Sequence, residues 1–254
     1  MSLAVRQSLS PVGSVIYWPG DNPPRGGVVC LHGSEGSFAG WNDLNCALLA
    51  ANGFAAMAHR YSGDGSFWTR PDIDDVPLEG TEAALTCLRE QLAPHGCGIG
   101  LFGVSRGAEH ALLLAQLLAE EGSPALPDAL VVHSPPDATW PAYIATDFQT
   151  GQPWAGDRER PAWSWRGGHE RTRPGVLLEA ERFPNPVFIA QGKADRVWGD
   201  EMARRLVTRM IEAGRRPEAH FFDGEDHIFR TEARNLEWEL LVGFLGRHLA
   251  PLAG

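Results

Sequence analysis

The sequence predicts an α/β fold, with a mostly parallel central sheet and helices on both faces. Three observations carry this. Short continuous apolar runs alternate along the chain with longer stretches of helical period. The apolar runs do not alternate polar with apolar, as strands buried on both faces should not. Successive strands are separated by stretches long enough for helical crossovers, which parallel pairing requires.

In chain order, Ser14–Tyr17 reads as an antiparallel edge strand and Val28–Leu31 (VVCL) as the first buried one. Trp41–Ala51 has helical spacing and is closed by Gly53, and Phe54–Ala58 is the next strand. Leu78–Leu92 is a helix, Ile99–Phe102 a strand and Arg106–Ala119 a strongly apolar helix. Ala129–Val132 and Val187–Ala190 (VFIA) are strands, Glu201–Ala213 a helix, Ala219–Phe222 a strand and Glu232–Leu249 the last helix. The pattern is one continuous domain over residues 1–254, with neither repeat nor low-complexity tract.

One segment breaks the alternation. His133–Pro174 carries six prolines (Pro135, Pro136, Pro141, Pro153, Pro161, Pro174) and four tryptophans (Trp140, Trp154, Trp163, Trp165). A connection this long without regular structure is uncommon in a compact domain and is often functional. Disordered segments are poor in aromatics, so the stretch at about 134–175 is read as an ordered insertion forming a cap or lid. Its arginines Arg158, Arg160, Arg166, Arg171 and Arg173 suit either an anionic substrate or a solvated face paired with Asp157, Glu159 and Glu170.

Composition removes several function classes. With 22 Lys+Arg against 32 Asp+Glu the formal charge is −10, a poor basis for the phosphate neutralisation on which nucleic-acid binding rests. No apolar run reaches the roughly 18 residues of a membrane span. The start lacks the charged and apolar regions of a signal peptide. Cys30, Cys46, Cys87 and Cys97 show no metal-ligand spacing, and Cys30 and Cys87 sit in apolar patterns. The expectation is a cytoplasmic protein, a monomer or homodimer, with neither metal nor cofactor.

The chemistry concentrates at Gly103-Val104-Ser105-Arg106-Gly107, a G-x-S-x-G between a strand and a helix. A serine on such a sharp turn is pushed out at the carboxyl end of the sheet, and neighbours two residues away come too close for side chains. The helix that follows aims its N-terminus at the site, where negative charge is favoured. The alternative is a glycine-rich turn in which Ser105 caps the helix.

A serine nucleophile needs a base, and the base needs an orienting acid. Asp195 follows the strand Val187–Ala190 and His227 follows Ala219–Phe222, so both lie at the edge where Ser105 emerges. Asp200, Asp223 and Asp226 compete for the acid role; Asp200 suits a helix start, and Asp223 and Asp226 the shaping of the His227 loop. His110 lies on the helix after Ser105 and points away from it, while His32, His59 and His133 read as structural or pocket-lining. After Val28–Leu31 comes His32-Gly33-Ser34-Glu35-Gly36. A strand ending in H-G suits an oxyanion loop, with the Ser34 N–H joined by the Arg106 N–H and His32 holding the loop.

These motifs, in the order serine, acid, histidine, resemble the α/β-hydrolase superfamily over nearly the whole chain. More narrowly, the chain resembles the catalytic domain of the acyl-CoA thioesterase and bile acid-CoA:amino acid N-acyltransferase family, with dienelactone-hydrolase-like proteins as neighbours. The matching stretches are GVSRGAEHAL, GFAAMAHRY, VPLEGTEAAL and NPVFIAQGKADRVW. The resemblance implies a pocket near Tyr61 and Trp198, and a small acyl substrate, including a CoA or carrier thioester; Glu35, close to the expected site in the H-G loop, is placed on the same pocket. Family members that conjugate amino acids use cysteine where this chain has Ser105, which favours water as the acceptor. Hydrolysis of a thioester or carboxylic ester through an acyl-enzyme is therefore expected. The alternatives are an acyltransferase or cyclase using the same intermediate, and a non-catalytic binding protein on the same fold.

Overall fold

A computed structural model describes residues 4–63, 71–146 and 158–251. Its strands, in chain order, are β1 (Arg6–Leu9), β2 (Val15–Trp18), β3 (Gly27–Leu31), β4 (Ala55–His59), β5 (Val76–Pro77), β6 (Ile99–Val104), β7 (Ala129–His133), β8 (Trp163–Ser164), β9 (Val187–Gly192) and β10 (Glu218–Phe222). The helices are α1 (Trp41–Ala51), α2 (Glu79–Leu92), α3 (Arg106–Glu121), α4 (Asp200–Glu212) and α5 (Thr231–Leu249). Eight strands form one sheet in the order β1-β2-β4-β3-β6-β7-β9-β10. From β4 to β10 every neighbouring pair is parallel, whereas β1 and β2 join antiparallel. The N-terminal strand is thus antiparallel as expected, but β1 lies outside it and forms the edge.

The apolar runs become β3, β4, β6, β7 and β9 because helices cover both sheet faces. On one face α1 and α5 bring Cys46, Leu49, Leu241, Phe244 and Leu245 against Cys30, Phe102, Val131 and Phe188. On the other, α2, α3 and α4 pack Leu85, Leu88, Leu112 and Leu206 against Val29, Leu101, Leu130 and Ile189. In α4 the buried Ala203, Leu206 and Met210 fall at helical spacing, Val207 packs beside them half-buried, and Glu201, Arg204, Arg205, Thr208, Ile211 and Glu212 face solvent. In α3 every residue from Arg106 to Leu118 is buried. Its second side is covered by the insertion, which explains why its sequence is apolar all round.

The described part of the insertion is tied to the body of the fold. Strand β8 pairs with β5 and a bridge joins Ile73 to Tyr143, while a bridge from Pro141 to Pro161 closes the insertion on itself. Trp163 is fully buried and Trp165 nearly so. Three of the insertion's arginines pair with acids of the body. Arg160 meets Asp74, Arg166 meets Glu82 and Glu121, and Arg171 meets Glu120. Pro153, Trp154 and Asp157 lie outside the described residues.

Trp163 is the insertion's deepest anchor, so Trp163→Ala should cost roughly 3–5 kcal/mol of stability. Urea unfolding followed by circular dichroism reads this; an unchanged midpoint would show that the insertion is anchored elsewhere.

Candidate active site

Ser105 sits between β6 and α3 with φ 55° and ψ −121°, a conformation side-chain-bearing residues rarely adopt. Two glycines make it possible. A Cβ on Gly103 would lie 2.1 Å from the Gly107 carbonyl oxygen, and one on Gly107 would lie 2.5 Å from that of His32. The Ser105 side chain makes no helix-capping hydrogen bond. Its Oγ lies instead 2.8 Å from His227 Nε2, which disposes of the capping alternative.

His227 stands on the loop between β10 and α5. Its Nδ1 lies 2.8 Å from Asp195 Oδ2, so Nδ1–H donates to the carboxylate and Nε2 is left to accept the serine proton. Asp195 follows β9. Its Oδ1 accepts the N–H groups of Val197 (2.8 Å) and Trp198 (2.9 Å), and its Oδ2 also accepts from Gln191 Nε2 at 3.0 Å. Burial pushes the Asp195 carboxyl up. The hydrogen bond and charge of His227, with the two N–H groups, outweigh burial and hold it below the usual range. The structure thus brings Ser105, Asp195 and His227 together. The competing acids are occupied elsewhere: Asp200 by Arg204, Asp223 by Lys193, and Asp226 by the His227 N–H and Arg196. The His227 and Arg196 N–H groups and the Arg196 side chain hold Asp226 down at about 2.

The H-G loop closes on the serine. A Cβ on Gly33 would lie 3.2 Å from Ser105 Cβ. Among the described residues no acceptor takes the N–H of Ser34 or Arg106. His32 is buried, and burial chiefly lowers its pKa to about 4. Its neutral ring donates from Nδ1 to the Gly33 carbonyl (2.8 Å), and its Nε2 lies 3.3 Å from Ser62 Oγ. Glu35 Oε1 accepts the Gly33 N–H at 2.9 Å.

Of the expected pocket residues, Glu35 lines a cavity of about 370 Å³ that opens beside Ser105 and His227. Trp41 and Asn45 of α1, Val104 of β6, and Phe229 form further parts of its wall. Tyr61 and Trp198 do not line this cavity. Tyr61 stacks on His32 at 4.1 Å and donates its hydroxyl to the His32 carbonyl (2.7 Å). Trp198 is buried with its ring edge-on to His227, 5.6 Å between centroids. Both brace the residues around the serine.

The Arg106 guanidinium is turned away and buried against Glu109 (2.7 Å), with a second bond to the Pro141 carbonyl (3.1 Å). Glu109 Oε1 accepts from the Trp140 N–H (2.9 Å) and Trp163 Nε1 (2.7 Å). Burial raises the Glu109 pKa against the pull of Arg106 and these donors. His110 points away from the serine, its ring edge-on to Trp163 at 4.7 Å. Sequence reasoning missed Gln191, Glu109 and Ser134. Gln191 and Glu109 stood inside quoted motifs, and nothing short-range marked either as a donor or acceptor for its partners.

Solved structures share this architecture. A dienelactone hydrolase-like promiscuous phosphotriesterase from metagenomic libraries superposes with a TM-score of 0.63 at 16% identity, covering 97% of this chain and 99% of its own. An esterase from Thermogutta terrifontis superposes at 0.60 and 20%, covering 98% and 96%. The chain has the α/β-hydrolase fold. No protein-family model matches it. Among curated proteins, human acyl-coenzyme A thioesterase 6 is 31% identical over 208 residues, 80% of this chain and 48% of the relative. The mouse acyl-coenzyme A thioesterase 6 is 25% identical over 225 residues, 85% and 51%. The chain spans about half the length of these relatives. The resemblance of this chain to acyl-CoA thioesterases and dienelactone-hydrolase-like proteins, read from its motifs, is borne out.

Gly107→Ala should destabilise the chain by roughly 1–3 kcal/mol, since the new methyl group meets backbone. Thermal unfolding of the variant beside the wild type would show this, and a fully stable variant would contradict the close approach.

Proposed function

We propose that the chain is a serine hydrolase that cleaves an acyl thioester or carboxylic ester through an acyl-enzyme on Ser105. The observation that carries this reading is the line Ser105 Oγ–His227 Nε2–Nδ1–Asp195 Oδ2, 2.8 Å at each contact, at the mouth of a cavity. His227 takes the serine proton as Oγ attacks the acyl carbon. Asp195 keeps the imidazole in the tautomer that can accept it, and stabilises the cation that forms. The N–H groups of Ser34 and Arg106 receive the developing oxyanion. Collapse of the tetrahedral intermediate expels the thiolate or alkoxide, which takes the proton from His227. Water then attacks the acyl-enzyme with His227 again as base, releasing the carboxylic acid and free Ser105.

Two considerations favour a thioester among the substrates. The curated relatives are acyl-coenzyme A thioesterases, and a serine at position 105 suits water as acceptor. The mainly apolar wall beside Ser105, with Val104, Trp41 and Phe229, suits the acyl portion. In this reading residues 1–254 form one hydrolase domain, and the insertion at 134–175 caps it from the α3 side.

A panel of acyl-CoAs, simple esters and lactones, run on the wild type and on Ser105→Ala, tests the proposal. The wild type should turn over at least one acyl-CoA or ester, and Ser105→Ala should lower kcat by about 10⁴–10⁶. A fluorophosphonate should label the wild type at Ser105 and leave the variant unlabelled. Near-normal turnover by Ser105→Ala would sink the assignment.

A further inference from the structure

His133, the last residue of β7, takes no part in the steps above, yet it touches both members of the catalytic pair. Its backbone carbonyl accepts the Ser105 N–H at 3.0 Å. Its ring Nε2 lies 3.1 Å from the backbone carbonyl oxygen of His227, and Nδ1 lies 2.7 Å from Glu237 Oε1. Ser134, the next residue, donates its hydroxyl to the same His227 carbonyl at 3.0 Å. The Phe229 ring packs 4.5 Å from the imidazole.

Glu237 comes from α5 and is completely buried. Its second oxygen accepts from Arg234 Nη1 at 2.9 Å, and Arg234 Nη2 donates to Asn45 of α1 at 2.7 Å. Burial pushes the Glu237 carboxyl up, but His133 and Arg234 outweigh it and hold the group below the usual range. A carboxylate and a peptide carbonyl are both acceptors, so each ring nitrogen of His133 faces an acceptor at hydrogen-bond distance. A lone pair turned toward either would leave a buried acceptor facing an acceptor, which is costly at this depth.

The loop carrying His227 is thus held at the ring by Asp195, at the backbone N–H by Asp226 and at the backbone carbonyl by His133 and Ser134. Asp195 sets the orientation of the ring, and His133 with Ser134 sets the height of the backbone above β7. We propose that His133 is a positioning residue for the catalytic pair, fixing the Ser105 backbone through its carbonyl and the His227 backbone through its ring Nε2–H. The proposal rests on reading Ser105 and His227 as nucleophile and base. Displacing a reacting group by about 1 Å can cost on the order of 10²-fold in rate, so the tether should appear in kcat and spare KM.

Two variants separate positioning from mere charge pairing. His133→Phe keeps the bulk and the backbone carbonyl but removes both ring donors. His133→Gln places an amide N–H near the position of Nε2 and gives up the contact with Glu237. Both lose the Glu237 bond, and only His133→Phe loses the tether. On a short-chain ester, His133→Phe should lower kcat roughly 10- to 100-fold with KM within about threefold, and His133→Gln should recover most of the loss. Equal losses in the two variants, or a normal kcat in His133→Phe, would overturn the proposal.

If His133→Phe does not fold, Ser134→Ala removes the other donor to the same carbonyl and should lower kcat severalfold at unchanged KM; a normal kcat there overturns the tether. The low-field proton resonance of His227 Nδ1–H reads the geometry without turnover. It should persist in the wild type and in His133→Gln, and weaken in His133→Phe or Ser134→Ala. That pattern in a wild type lacking esterase and thioesterase activity would refute the hydrolase reading and leave the tether standing.

Discussion

The site depends on a steric constraint at Ser105. Backbone must pass backbone at Gly103 and Gly107, where any Cβ would collide with a carbonyl oxygen. That close passage lets β6 turn directly into α3 and holds Ser105 at positive φ. Strain of this kind costs on the order of 1–3 kcal/mol and persists only where the surroundings over-determine it. Here they do. Strand β6 is hydrogen-bonded on both sides, to β3 and to β7, and α3 is buried along most of its length. A serine on an exposed edge or a half-solvated helix could relax; this one cannot.

The same helix start carries a second burden. Arg106 and Glu109 form an ion pair almost without solvent exposure. A buried pair is expensive to desolvate and contributes stability only if its remaining donors and acceptors are satisfied. Pro141, Trp140 and Trp163 of the insertion supply most of those partners, and the buried Arg106 Nε has none among the described residues. The turn that exposes Ser105 and the residues that hold the insertion are therefore one hydrogen-bonded unit. Loosening the insertion exposes the pair, and losing the pair leaves a charge buried among tryptophans. The insertion is bound by specific polar contacts as well as by aromatic area, which makes its position a property of the first turn of α3.

Much of this was legible in the sequence, for definable reasons. Parallel strands are short apolar runs, and functional side chains of such folds follow their carboxyl ends. Ser105, Asp195 and His227 could thus be located from the residues just after three strands. The H-G loop was legible because glycine there answers a local demand for space. Residues that act through long-range partners were not. His133 and Glu237 are 104 positions apart, and neither has a local pattern that announces the other. The body acids that meet the insertion's arginines were hidden for the same reason, since acids within the insertion were nearer in sequence. Tyr61 and Trp198 were tied to the right region, but whether an aromatic ring faces a cavity or braces the loop beside it depends on packing that spacing does not encode.

The two sides of Ser105 differ in a way that bears on how a substrate lies. The cavity is walled by α1 and by the residues leading into α5, on the face where Asn45, Arg234 and Glu237 link those helices. The insertion closes on the opposite face, over α3 and against β5. In the proposed reaction the ester or thioester has two arms, and attack by Ser105 with the oxygen held between Ser34 and Arg106 would send them in different directions. One arm would enter the cavity among Val104, Trp41 and Phe229, which suits an apolar acyl chain. The other would leave on the far side of the serine. The cavity side is set by helix packing in the core, whereas the insertion side is held by hydrogen bonds to Glu109, by the pairing of β8 with β5 and by ion pairs with acids of the body. On the proposed reaction, substitutions on the two sides should therefore separate. Those along α1 would alter which acyl chains are accepted, and those in the insertion would alter which leaving groups are tolerated.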